Sequence, residues 1–285
     1  MKVNLTVVSS RPDTTSIVFA DLMESMATFF RIKNIKVSLS KNKIFKDSVN
    51  ILWGVGTHYS RDFKLINDIG KNYKIILVNL EQLGSSSELV TGDYLECLMG
   101  NKLFDYSDWN IRFLRGKFSI NPDAIEFPFF PSVNKNFIEY SSSKKEFDFS
   151  FYGAINDRRL KILKNILSRG YTIDVIKNIY GPHLVERIKK SKAVLNIHYY
   201  DSKIFETTRC IGPVGMGWPI LSEDSFMPVK VNWDSSGIVF LNYDEIYNKL
   251  EFMNDYSLGI MSERSIRFLK GLKNDDFLEV FNFIR

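Results

Sequence analysis

Two parallel α/β domains, each a doubly wound, Rossmann-like sheet with helices on both faces, are what this sequence predicts. Three observations carry the expectation. Short apolar runs rich in Val, Ile and Leu alternate with stretches of helical periodicity along most of the chain. With 285 residues at 45% hydrophobic composition, the chain can bury two cores of ordinary size. A polar, serine-rich stretch, Tyr140–Asp148 (YSSSKKEFD), separates two such alternating series and has the composition of a linker. The expected division is residues 1–140, then 147–271, then a terminal helix within 272–285.

In the first series, Lys2–Val8 reads as a central parallel strand, and Ser9–Thr15 (SSRPDTT) is loop chemistry ending in capping residues. A helix follows over about 16–30, then strands over 35–39 and 50–55. The second of these runs into WGVGTHY, whose two glycines allow a sharp turn at a strand's carboxyl end. Helix 63–69, strand 73–80 and helix 94–99 complete the series, and the proline-rich NPDAIEFPFFPSVNKNF (121–137) reads as an irregular crossover. The second series comprises strand 148–152, helix 158–168, strand 172–176 and helix 184–191. After it come a strand, loop, helix, strand block over 191–224, strand 237–241, helix 243–253 and a final helix over about 275–284.

Bulk composition narrows the function. A net charge of +5 is mild and permits an anionic ligand without requiring one. Cys97 and Cys210 match no metal spacing or redox pair, and three histidines are too scattered for a zinc site. The chain opens directly on a strand, without a signal-peptide pattern, and no uncharged apolar window approaches a membrane span, so a reduced, metal-free cytoplasmic protein is expected. There is no GxxxxGK[ST] and no GxGxxG, which speaks against a P-loop enzyme or a dinucleotide oxidoreductase.

The most informative stretch is Ser191–Asp224, SKAVLNIHYYDSKIFETTRCIGPVGMGWPILSED. A strand followed by a helix opening near Phe205 and Glu206 aims backbone N–H groups and a positive dipole end past the sheet, where a diphosphate binds well. Glu206, with Gly217, Trp218, Pro219 and Ile220 closing on Ser222 and Glu223, resembles the donor-binding part of group-1-type glycosyltransferases of the GT-B fold. FYGAINDRR (151–159), NLEQL (79–83) and FDYSDWN (104–110) look like pieces of that family's small members. The resemblance implies two Rossmann-like domains facing each other across a cleft, with the terminal helix packing back on the first.

By the same resemblance, a nucleotide-diphosphate sugar such as a UDP-sugar is the donor co-substrate, and no cofactor is permanently bound. The acceptor it implies is a hydroxyl on a glycan or polysaccharide precursor, or on a hydroxymethylated pyrimidine of DNA; Arg11, Arg61, Lys64, Lys71 and Lys74 would then meet phosphates, though solvated lysines explain them equally. The donor site would be built from Gly153, Arg158, Arg159, Asn196, His198, Tyr199, Phe205, Glu206, Arg209, Ser222 and Glu223. Each has a plainer alternative: GAINDRR as an ordinary βα turn, Glu206 and Arg209 as a local ion pair one helical turn apart, His198 as a core histidine, Glu223 as a cap. An inverting transfer needs a base for the acceptor proton, and Asp13, His58 and Glu81, at carboxyl ends of first-domain strands, are the candidates; a retaining one needs none of them. No Asp-x-Asp occurs, so arginines and helix N-termini would stabilise the diphosphate without a metal. A non-catalytic nucleotide-sugar-binding module of the same fold is the alternative.

Overall fold

The computed structural model describes residues 1–10, 19–56, 60–129, 140, 144–228, 230–271 and 278–285. The first series of apolar runs forms a six-stranded sheet of β1 (Lys2–Val7), β2 (Lys36–Lys41), β3 (Val49–Trp53), β4 (Ile75–Asn79), β5 (Lys102–Asp105) and β6 (Ala124–Glu126). Their order is β2-β1-β3-β4-β5-β6, and every pairing is parallel. β3 and β4 are buried along their whole length, which is why they read as unbroken apolar runs. Helices α1 (Ala20–Ile32), α2 (Phe63–Asn72), α3 (Gly92–Met99) and α4 (Asp108–Phe118) connect the strands. Asp62, Thr91 and Ser107 cap α2, α3 and α4 by accepting backbone N–H groups of the first turn.

The second series forms a five-stranded parallel sheet of β7 (Phe147–Tyr152), β8 (Ile173–Ile176), β9 (Ser191–Asn196), β10 (Ile220–Glu223) and β11 (Ile238–Leu241), in the order β11-β10-β9-β7-β8. Its helices are α5 (Asp157–Ser168), α6 (Gly181–Ile188), α7 (Thr207–Gly215) and α8 (Asp255–Gly271). Phe149, Phe151, Ile162, Leu195, Leu221 and Met261 belong to one buried cluster within this unit. By contacts the chain divides into Met1–Phe129 with Pro228–Lys230 and Lys273–Arg285, and Phe130–Met227 with Val231–Leu272. The last helix, α9 (Leu278–Ile284), belongs to the first unit, where Phe281 stacks on Phe29 at 5.0 Å and Lys102 Nζ donates to the Phe283 carbonyl at 2.9 Å. Tyr140 and Lys145, from the serine-rich stretch, pack on Trp218 of the second unit. Among the described residues no helix is long and apolar enough to cross a membrane.

Three elements differ from the sequence reading. The proline-rich passage contributes β6, which adds an edge to the first sheet through Leu103, Phe104 and Asp105. The helix expected over 243–253 is a series of turns ending in a 3₁₀ segment, Leu250–Phe252. Asn248 explains the break: its side chain donates to the Asp244 carbonyl while its backbone N–H turns to Glu245, so the i to i−4 ladder is interrupted. The regular helix is α8, whose buried face includes Ser262 and Ser265 beside Leu258, Met261 and Phe268, and so lacked an obvious apolar stripe.

Close packing of α8 depends on Gly237, where an added Cβ would fall 2.0 Å from the Met261 carbonyl oxygen and 2.1 Å from Ser265 Oγ. Gly237→Ala is therefore expected to destabilise the second unit by about 2 kcal/mol or more, read as a lowered urea midpoint.

Candidate functional site

Parallel register sets the carboxyl ends of the second sheet level with one another. Ser222 pairs with Asn196, and Ser150 with Val194, so β10, β9 and β7 release Glu223, Ile197 and Gly153 at one edge. Ligands of such sheets gather beyond this edge. Gly153 has a φ of 118°, and a Cβ there would lie 3.3–3.4 Å from the Arg209 guanidinium. The glycine thus permits both the turn and the close approach of Arg209.

Three arginines and three carboxylates meet here. Arg158 pairs bidentately with fully buried Glu223, donates through Nε to Asp201 at 2.8 Å, and stacks 4.2 Å from the Tyr243 ring. Arg159 is 3% exposed; its Nη2 reaches both oxygens of Glu206 at 3.1 Å, and Nε and Nη1 donate to the carbonyls of Ile197 and Ala154 at 2.8 Å. Arg209 Nη1 donates to Glu206 at 3.1 Å, and Nη2 to the Tyr152 carbonyl. Burial would raise the Glu206 carboxyl, but Arg209 and Arg159 outweigh it and hold the group below its usual range. Burial, with Arg209 beside it, lowers Arg159 to about 10.

Glu206 is the N-cap residue of α7 and makes no side-chain capping bond, so its carboxylate serves the arginines and also sits favourably at a positive dipole end. Pro213 inside α7 has no N–H, leaving the Arg209 carbonyl without its helical donor; the Tyr152 hydroxyl supplies that hydrogen bond. Gly217, with a φ of 70°, ends the turn before β10, and Trp218 Nε1 donates to the Ser191 carbonyl at 3.0 Å.

A second property of the edge is unused hydrogen-bonding capacity. Asn196 Oδ1, His198 Nδ1, Thr207 Oγ1 and Arg209 Nε are four of the seven buried side-chain atoms without a partner among the described residues. His198 is fully buried, and burial lowers its pKa, so the ring is neutral. Ser225 Oγ donates to the Glu223 carbonyl at 2.9 Å, so His198 Nε2, 2.7 Å from that oxygen, must be the donor of its pair. The tautomer follows: Nδ1 keeps a bare lone pair. Likewise Ser222 Oγ donates to the Glu223 carbonyl and accepts from Asn196 Nδ2 at 2.9 Å, leaving Asn196 Oδ1 as an acceptor. Two buried acceptors, an unpaired hydroxyl and an unpaired guanidinium N–H within residues 196–209 suit a hydroxyl-rich, anionic ligand.

The sequence-predicted residues therefore divide by role. Gly153, Arg158, Arg159, Asn196, His198, Glu206, Arg209, Ser222 and Glu223 share this edge, and Tyr199 contributes a ring 5.1 Å from the Arg159 guanidinium. Phe205 is corrected: its ring is fully buried against Trp233 and Phe240, so it anchors the turn in the core. Ser222 and Glu223 are fully buried with their oxygens occupied from within, which makes them supports for Asn196 and Arg158. Thr207, Ser225, Asp201 and Tyr243 were missed; only Thr207, first residue of the helix after Glu206, carried a local signal.

In the first unit, Asp13 and His58 lie outside the described residues. Glu81 is half-buried beyond the carboxyl end of β4, and desolvation pushes its carboxyl up to about 7. Its backbone is clamped: Asn79 Nδ2 and Asn110 Nδ2 each donate to the Glu81 carbonyl at 3.0 Å, and Asn110 Oδ1 accepts the Leu83 N–H at 2.8 Å. Asp105, fully buried at the end of β5, accepts from Asn79 at 2.6 Å and Asn110 at 2.8 Å; burial nonetheless raises it to about 7. It is a structural hub of this turn.

No family model matches the chain. Two uncharacterised proteins of Acanthamoeba polyphaga mimivirus are similar in sequence. L138 is 29% identical over 190 residues, covering 63% of this chain and 20% of that protein; L137 is 27% identical over 223 residues, covering 75% and 29%. The chain thus spans less than a third of the length of either relative. Among solved structures, the glycosyltransferase WaaG, involved in lipopolysaccharide biosynthesis, superposes with a TM-score of 0.61 at 10% identity, covering 98% of both chains. T4 phage BGT in complex with its UDP-glucose substrate gives 0.58 at 13%, covering 100% of this chain and 99% of its own. An alpha-glucosyltransferase in complex with UDP and a 13-mer DNA gives 0.55 at 12%, covering 100% and 99%. The chain has the GT-B fold.

Arg159 is the cation that makes burial of Glu206 tolerable. Arg159→Leu should cost about 3–5 kcal/mol by stranding that carboxylate, and the loss should shrink in acid, where Glu206 protonates; urea denaturation at neutral and low pH checks both.

Proposed function

We propose that the chain is a glycosyltransferase that moves a sugar from a nucleotide-diphosphate donor, such as a UDP-sugar, to an acceptor hydroxyl. The observation that carries this reading is the unpartnered set Asn196 Oδ1, His198 Nδ1, Thr207 Oγ1 and Arg209 Nε beside Glu206, at the carboxyl edge of a sheet in a GT-B fold. Glu206 accepts hydroxyls of the ribose or sugar. Arg209, 14% exposed, and Arg158, 15% exposed, meet the diphosphate together with the first turn of α7. Arg159, almost fully enclosed, positions Glu206; Glu223 positions Arg158. Charge developing on the leaving diphosphate is then offset by guanidiniums and backbone N–H groups, with no divalent metal required.

The acceptor hydroxyl belongs to a glycan or to a hydroxymethylated pyrimidine of DNA. Its oxygen attacks the anomeric carbon, the bond from that carbon to the diphosphate breaks, and the hydroxyl proton passes to a base. Glu81 fits that task best among Asp13, His58 and Glu81: a desolvated carboxyl near 7 is both ionised and basic at working pH.

Two measurements test the reading. At about 100 times its dissociation constant, UDP is expected to raise the melting temperature by roughly 5 °C. Glu206→Ala should abolish both that shift and the release of nucleoside diphosphate from a panel of sugar nucleotides; a shift without release in the unaltered chain identifies a binding module instead. If Glu81 is the base, kcat/KM rises with pH through about 7 as its carboxylate forms, and Glu81→Gln removes that limb along with most of the rate.

A further inference from the structure

Resting on the glycosyltransferase reading, we propose that Trp109 is the stacking platform for the acceptor and that the acceptor is a neutral carbohydrate, not duplex DNA. The chain has four tryptophans. Trp53, Trp218 and Trp233 are at most 1% exposed, whereas Trp109 is 41% exposed. A lone exposed aromatic is ordinary; its position is what matters. Trp109 lies in the first turn of α4, capped by Ser107, at the carboxyl edge of the first sheet. The next residue, Asn110, turns inward and clamps both the Glu81 carbonyl and the Leu83 N–H. One turn of helix therefore presents an indole to solvent and fixes the backbone of the proposed base.

Charge around this edge selects the occupant. Duplex DNA carries a negative charge about every 1.7 Å of axis and is held by cations free to replace counterions. The cations here are matched by acids. Arg112, 5.7 Å from the Trp109 ring, is paired with Asp108 at 2.5 Å. Arg61, Lys64 and Lys71 line one hollow with Asp62, Asp68, Asp93 and Glu96, and Lys71 bonds Asp68 at 2.8 Å. Lys74 immediately precedes β4, so it stands at the sheet's opposite edge. Arg11 lies outside the described residues. A neutral pyranose needs no such cations: its apolar face covers the indole, and its hydroxyls remain for water and for Glu81.

The burial of the other three tryptophans makes the test direct, because acrylamide quenching of indole fluorescence reads Trp109 almost alone. The full chain is titrated with p-nitrophenyl glucosides, galactosides and N-acetylglucosaminides, with and without UDP. The expected result is that at least one glycoside protects the fluorescence from acrylamide. Trp109→Ala should then abolish the quenchable component and raise KM for that acceptor about tenfold, with the UDP-induced melting shift unchanged. Trp109→Phe should restore KM to within a few-fold. Absence of protection by every glycoside, an unchanged KM in Trp109→Ala, or transfer to hydroxymethylcytosine-containing duplex in preference to the glycosides each overturns the inference. Loss of the UDP shift in the unaltered chain overturns the donor reading instead, and quenching protection still decides the platform on its own.

Discussion

Burying the Glu206 carboxylate is the constraint around which the second unit is arranged. A carboxylate taken out of water costs several kcal/mol unless cations and donors replace its hydration, and Arg159 and Arg209 do so from opposite sides of the chain. Each guanidinium must in turn be held. Arg159 is fixed by the carbonyls of Ile197 and Ala154, which ties the exits of β9 and β7 together. Arg209 lies over Gly153 and bonds the Tyr152 carbonyl, while the Tyr152 hydroxyl returns a hydrogen bond to the carbonyl that Pro213 leaves without a donor. One acidic side chain thus fixes the geometry of three loops, and substitution at any of these positions is felt at the others.

Much of the second unit was legible because parallel strands buried on both faces write themselves as continuous apolar runs. The alternation over 147–241 maps onto β7 to β11, and Glu206 marks the start of α7. The roles of the arginines were less legible. Arg158 and Arg159 are adjacent in sequence and read as a pair, but adjacent helical residues point about 100° apart. One therefore reaches Glu223 and the other Glu206. Phe205 misled for a related reason: its neighbour in sequence is at the site, while its own ring faces Trp233. Turn 243–253 and helix α8 were misread because local amide bonding and buried serines both defeat a pattern based on apolar spacing.

The first unit handles buried acids by a different route. Asp105 has no cation; its oxygens are met by Asn79, Asn110 and the Ser107 N–H, all neutral donors. Neutral donors compensate desolvation less completely than a guanidinium does, so burial wins and the carboxyl rises to about 7. Glu81 shares that outcome, for it too is raised by desolvation alone. The two units therefore hold carboxyls of opposite character: an acid kept ionised by arginines in one, and acids poised near neutrality in the other. That contrast is what separates a residue suited to accepting hydroxyls from one suited to accepting a proton.

The cation balance at the carboxyl edge of the second sheet bears on how a donor is recognised. Arg158, Arg159 and Arg209 are already neutralised by Glu206, Glu223 and Asp201, so the edge offers little net field to an approaching diphosphate. What it offers instead is directional capacity: lone pairs on His198 and Asn196, the Thr207 hydroxyl and the Arg209 Nε–H. Each such buried atom left unpaired costs roughly 1–3 kcal/mol, so the unliganded fold carries a cost that only a ligand with matching hydroxyls and oxygens relieves. Recognition on these terms favours the sugar and ribose over the phosphates as the source of selectivity. It also explains why Glu206 has to be held so firmly: hydroxyl-by-hydroxyl recognition tolerates far less movement than attraction to a diffuse charge.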